Sequence, residues 1–295
     1  MVNFTLKQLR YFEALAAQGH FGLAAEVCNI SQPALSMQIK ELEAQLGTPL
    51  FERRARQVRL TGFGETFGEH ARGILRQADE LADMARMAQE RLIGRLRLGV
   101  IPTIAPYLLP KIIEGLSERY AGLDVHVRET QTSKLLTELE AGRIDAAIVA
   151  LPISEPAFIE VALFDEPFVL VRPKPQEGQP VPSAEGLREM RLLLLEEGHC
   201  FRDQALSFCG GPQLRPQAGL DASALSTLVQ MVGSGLGVTL IPQMAVAVET
   251  RSADVSVARF RDAEPKRTIG MIWRKTSPLA EQFGEVAEIV KAAAR

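Results

Sequence analysis

Apolar positions recur at helical spacing along the start of the chain. Leu6, Leu9, Phe12, Leu15 and Ala16 predict one helix, which stops at Gln18-Gly19-His20. Phe21 to Cys28 predicts a second, short helix that ends near Asn29. Ser31 then caps a third helix, with Pro33 in its first turn, where a missing N–H does no harm. Leu35, Ile39, Leu42 and Leu46 form the apolar stripe of this helix and leave Gln32, Ser36, Met37 and Lys40 off it. Two helices, a tight turn and a capped third helix have the form of a helix-turn-helix.

After Gly47-Thr48-Pro49 the pattern changes. Arg53, Arg54, Arg56 and Arg59 alternate with apolar and β-branched neighbours, which predicts a basic hairpin, or wing. Such a wing would meet phosphates, and the outer face of the third helix would reach base edges through Gln and Ser. The same residues also fit a small helical bundle with a solvated arginine loop.

Phe67, Ala71, Ile74, Ala78, Leu81, Ala85, Ala88 and Leu92 follow in steps of four and three. That is a coiled-coil seam on a helix roughly 40 Å long. A partner chain would cover it, and a two-fold dimer would suit a palindromic DNA site. Packing on its own protein is the other reading.

Beyond Gly94 the period shifts. Strand patterns at Arg95–Val100, Asp124–Glu129 and Ala146–Val149 alternate with helical patterns at Ile104–Arg119 and Ser133–Ala141. This alternation predicts a mostly parallel sheet. Phe158–Phe164 and Phe168–Arg172 read as strands crossing into a second lobe, and Arg267–Trp273 as a strand that returns. The expected fold class is α/β, with an N-terminal all-α winged helix-turn-helix and a regulatory part of two periplasmic-binding-protein-like α/β lobes. The expected division is 1–62 for DNA binding, 63–93 for the linker helix and 94–295 for the two lobes. Thr103 and Thr132 each follow a strand at a helix start, so each would cap its helix or face a site there.

Composition adds limits. The 295 residues suffice for two or three domains, and the net charge of −3 makes any DNA surface a local one. No apolar run approaches a membrane span. Met1–Lys7 has no basic segment leading into an apolar one, so a cytoplasmic protein with no membrane partner is expected. Three cysteines are too few for a disulfide scaffold.

Two of the three stand nine positions apart, at Cys200 and Cys209. In a helix they would lie roughly 13 Å apart along the axis. A disulfide needs Cα atoms about 4.4–6.8 Å apart. A bond between them would therefore require the segment to refold, as a redox switch would. Two buried small hydrophobes fit the spacing equally. His199 and Arg202 are cations adjacent in sequence that would favour a thiolate, as would a helix N-terminus. The spacing lacks the close cysteine pairs of a zinc site, and no metal or cofactor is expected.

The run Ala24 to Ser36, with Leu42-Glu43, Leu46-Gly47 and Leu50-Phe51-Glu52-Arg53, resembles the winged helix-turn-helix of LysR-type transcriptional regulators. The resemblance implies that Gln32, Pro33, Ser36 and Lys40 face double-stranded DNA, with Arg53, Arg54 and Arg56 on the wing. Cys28 falls at a core position. Gly198 to Ala205 with Phe208-Cys209 resembles the redox segment of the peroxide-sensing members of that family, and Ile101-Pro102-Thr103, Gln131-Thr132 and Arg267-Thr268-Ile269-Gly270 match as well. This implies Cys200 as the cysteine that meets hydrogen peroxide and Cys209 as the one that resolves it. It implies a pocket of Thr103, Thr132, His199 and Arg267, supported by Asp203. It also implies a dimer of dimers, RNA polymerase as a partner, and a regulator rather than an enzyme. Two rivals stay open: a regulator answering a small organic effector, and a thiol peroxidase.

Overall fold

A computed structural model describes residues 4–54, 57–87, 94–209, 221–260 and 264–295. The chain divides into two compact units, Met1–Ala85 and Arg86–Arg295.

In the first unit, α1 (Leu6–Gln18), α2 (Phe21–Val27) and α3 (Gln32–Leu46) precede a hairpin of β1 (Phe51–Arg54) and β2 (Gln57–Leu60). Thr5 and Gln8 form a capping box on α1, and the Ser31 hydroxyl accepts from Ala34 N at the start of α3. Leu35, Ile39 and Leu42 are buried with Leu9, Phe12 and Leu15. Glu43 accepts from the backbone N–H groups of Leu50 and Phe51, at 2.8 and 3.1 Å, and so fastens the wing to α3.

Helix α4 (Gly62–Met87) starts on this core. Phe67 stacks edge-on to Phe12, and Ala71 is buried beside it. The first two residues of the apolar seam are therefore used within the head. Ile74 and Leu81 are exposed, while Ala88 and Leu92 lie outside the described residues.

The second unit opens with β3 (Gly94–Val100), α5 (Ala105–Arg119), β4 (Leu123–Glu129), α6 (Thr132–Glu140) and β5 (Ala146–Leu151). Strand β6 (Phe158–Pro173) leads to the second lobe. That lobe holds α7 (Ala184–Glu189), β7 (Leu194–Leu195), α8 (Cys200–Phe208), β8 (Asp221–Ala222), α9 (Leu225–Gly233), β9 (Thr239–Pro242), α10 (Val246–Glu249) and β10 (Val255–Arg259). Strand β11 (Lys266–Arg274) and α11 (Ala280–Ala293) complete the first lobe.

The large sheet runs β10-β6-β11-β5-β3-β4, with β9 also on β6. β3 pairs in parallel with β4 and β5, as the alternating pattern predicts, but β11 is antiparallel to both neighbours. The two expected strands at 158–164 and 168–172 are one strand. Its first half pairs with β11 and its second with β9 and β10, so β6 belongs to both lobes. Each lobe has its own core. Leu98, Ile148 and Phe283 lie in one, and Phe168, Phe201 and Leu240 in the other.

Candidate functional site

On the first unit, Gln32, Pro33 and Lys40 are exposed on α3, and Ser36 is half-buried among them. The apolar stripe faces the core, which turns these side chains outward. Met37, exposed beside them, adds an apolar contact surface. Arg53 and Arg54 belong to β1, and Arg56 lies outside the described residues.

On the second unit, three chain segments converge where parallel strands end. One is the 101–104 turn after β3, another the start of α6, and the third the start of α8. Ile101, Pro102, Thr103, Gln131, Thr132, His199, Cys200 and Phe201 enclose a pocket with about 10 Å³ open to the centre of a water molecule. That is room for one very small molecule.

Neither threonine caps a helix. Ile104 holds the cap position of α5 with no side-chain bond, and Gln131 holds that of α6. Thr103 instead accepts from Arg267. The guanidinium Nη1 donates to Thr103 Oγ1 at 2.7 Å and Nη2 to the Thr103 carbonyl at 3.0 Å. Among the described residues, Thr132 Oγ1 and Arg267 Nε are buried polar atoms with no hydrogen-bond partner.

Cys200 is the first residue of α8, at the end where backbone N–H groups point outward. Gly198 sets this entry. Its φ is +94°, and a Cβ there would sit 2.8 Å from Gln131 Oε1. Cys200 packs against the core of the first lobe, whereas Phe201, Ala205 and Cys209 lie in the core of the second. Cys209 closes the helix at its other end, and none of the three cysteines is in a disulfide. Cys28 is half-buried against the core of the head.

The cation of the site is Arg267, not a neighbour in sequence. Arg202 is directed away, with Nη1 donating to the Leu195 carbonyl at 2.5 Å and to Asp221 Oδ1 at 3.0 Å. His199, 7% exposed, is held below the ordinary histidine range by burial, against a weaker upward pull from Glu196 3.8 Å away. It enters the pocket as a neutral ring at neutral pH. Arg267 is buried, lies 5.3 Å from the Phe201 ring centre, and is pulled down to about 10 by burial. Charge on Cys200, Glu166 and Tyr107 pulls in the opposite direction. Even so depressed, the guanidinium carries its charge at neutral pH. Asp203 is exposed in the first turn of α8 and does not line the pocket.

Two residues absent from the sequence-based set stand beside this group. Glu166 is buried on β6, opposite Arg267 in the β6–β11 ladder. Tyr107 on α5 donates to Glu249 on α10 at 2.6 Å and ties the two lobes together. Spacing along the chain singles out neither, because each partner is remote in sequence. Among the described residues no group of three or more His, Cys, Asp or Glu could hold a metal ion, and no helix is long and apolar enough to cross a membrane.

Residues 6–65 match the bacterial regulatory helix-turn-helix protein, lysR family, and residues 89–295 match the LysR substrate binding domain. The chain is 44% identical to a probable hydrogen peroxide-inducible genes activator of Streptomyces viridosporus, covering 99% of this chain and 95% of that one. It is 41% identical to the DNA-binding transcriptional dual regulator OxyR of Escherichia coli (strain K12), covering 97% and 95%. Among solved structures, a cysteine-to-aspartate variant of full-length OxyR from Pseudomonas aeruginosa superposes with a TM-score of 0.76 at 37% identity, covering 98% of this chain and 95% of the other. A cysteine-to-serine variant of Corynebacterium glutamicum OxyR with bound hydrogen peroxide gives 0.69 at 37% identity, covering 100% and 94%.

Proposed function

Because this chain belongs to the LysR family of bacterial transcriptional regulators, and is similar over nearly its whole length to hydrogen peroxide-inducible activators, we propose that it is a DNA-binding hydrogen-peroxide sensor switched by a reversible Cys200–Cys209 disulfide. The observation that carries this reading is the seat of Cys200. It lies at a helix N-terminus, in a pocket sized for one small molecule, next to the Arg267–Thr103 pair.

The chemistry follows from these groups. The Cys200 thiolate attacks one peroxide oxygen, the O–O bond breaks, and the other oxygen leaves as hydroxide. Thr103 and Thr132 hydroxyls and the Arg267 charge stabilise that leaving oxygen, and His199 shapes the wall. The Cys209 thiol then attacks the sulfenic sulfur, the S–O bond breaks, and water leaves as the disulfide forms. Helix α8 must unwind for the two sulfurs to meet, so the 200–209 segment is the two-state element.

The DNA-reading part is residues 1–62, with Gln32, Pro33 and Ser36 at the major groove and Lys40, Arg53, Arg54 and Arg56 on phosphates. Residues 63–93 pair two chains, and residues 94–295 sense peroxide. Two such dimers assemble on a palindromic operator and engage RNA polymerase in the cytoplasm.

A non-reducing peptide map after one equivalent of hydrogen peroxide tests the reading. The expected result is a Cys200–Cys209 cross-link that forms quickly, reverses with a dithiol and changes the DNA footprint. Free thiols after the pulse, with DNA binding altered only by a small organic ligand, would overturn it. Sustained peroxide turnover with a thiol reductant would favour a peroxidase.

A further inference from the structure

Arg267 and Glu166 are direct partners across the antiparallel β6–β11 ladder, so their side chains leave the sheet on the same face. Both are buried, with 3% and 5% exposure. Opposite charges in such positions ordinarily close an ion pair, since an unpaired buried charge is costly. Among the described residues these two do not. Each is held by something else. Arg267 spends Nη1 and Nη2 on Thr103 in the first lobe. Glu166 Oε1 accepts from Met244 N, 2.8 Å away in the second lobe. The carboxylate thus acts on the guanidinium without closing an ion pair with it, and Cys200 acts on the same charge.

We propose that Glu166 is a positioning residue for the Cys200 site: its tether to Met244 keeps it from pairing with Arg267, and its charge sets how much of the Arg267 field reaches the sulfur. The inference rests on Cys200 as the reacting sulfur and on nothing else in the proposed function. The groups that act on the Arg267 charge are Cys200 from α8, Glu166 from β6 and Tyr107 from α5. Glu166 in turn is pushed up by burial and pulled down by the Met244 and Gln243 backbone and by Arg267. Removing the carboxylate charge leaves the guanidinium less compensated, which favours negative charge at Cys200.

The test is iodoacetamide alkylation of Cys200 in the full reduced chain, followed by peptide mass against pH. Glu166→Gln keeps an oxygen to accept from Met244 N but removes the charge. We expect its alkylation profile to move to lower pH, with a rate at neutral pH that rises roughly threefold. Glu166→Asp keeps the charge and should stay near the wild type. In an Arg267→Met background, Glu166→Gln should still move the profile to lower pH, because the two charges act on the sulfur additively. An unmoved profile for Glu166→Gln, or a shift to higher pH, would overturn the proposal. Should Glu166→Gln fail to fold, Glu166→Met, which also removes the charge, is read in the same way: a profile displaced to lower pH supports the proposal and an unmoved one overturns it. Peroxide oxidation of wild-type Cys200, measured separately, judges the sensor reading, and its absence leaves the alkylation result standing.

Discussion

Cys200 and Cys209 occupy opposite ends of α8 and pack against two different cores. Bringing the sulfurs together therefore unwinds the helix and pulls at least one thiol from its core. Oxidation should lower far-ultraviolet helicity by about the nine residues of α8 and raise amide exchange across 200–209. Cys209→Ala should abolish both changes while leaving Cys200 able to form a sulfenic acid, trapped with dimedone. Retained helicity in the cross-linked protein would contradict this account.

Thr103→Val removes the hydroxyl that accepts from Arg267 Nη1 and leaves a buried donor unpaired. The cost should be about 1–3 kcal/mol in urea unfolding of the reduced protein. The rate of Cys200 oxidation by peroxide should also fall. Thr103→Ser keeps the acceptor and should restore most of the rate.

His199 gives the reduced state a pH dependence. Burial lowers its folded pKa, so below about 6.5 the unfolded chain binds more protons than the folded one. Stability present above that pH is lost as pH falls through the window between the two values. Thermal melts at pH 7.5 and 5.5 should show a larger loss for the wild type than for His199→Asn. Equal losses would mean that the ring is already solvated.

Lys40, exposed on α3, is expected to meet a phosphate. Lys40→Ala should weaken binding evenly across operator sequences and reduce the slope of log affinity against log salt by about 1. Gln32→Ala should change base preference with little effect on that slope. Binding titrations at several salt concentrations separate the two effects.

Leu81 is 67% exposed on α4 and Ile74 is 40% exposed, on the seam that would pair two chains. Leu81→Asp should shift the protein toward monomer in light-scattering measurements and weaken binding to a two-half-site operator. A single half-site should be bound about as before.

What the sequence determined by itself was local. Helices α1 to α4 could be read from the spacing of apolar residues, and the start of α3 from Ser31 and Pro33, because a helix makes its hydrogen bonds within a few residues. The fold class followed from the switch between periods. The two cysteines could be singled out because their spacing makes a bond and a helix mutually exclusive. The family resemblance supplied Thr103, Thr132 and Arg267 as members of one site, but the physical role of each was not legible.

Tertiary structure decided the electrostatics. Proximity in sequence nominated Arg202 as the cation for Cys200, yet residues two apart on a helix face opposite ways, and Arg202 turns to Leu195 and Asp221. Arg267, 67 positions downstream of Cys200, takes that place because β11 returns beside β6. The union of two expected strands into β6, the Thr103–Arg267 bond and the tether of Glu166 to Met244 all join residues far apart in the chain. Such contacts depend on strand order and register, which are chosen by the packing of both lobes together and leave no periodic mark on any one segment.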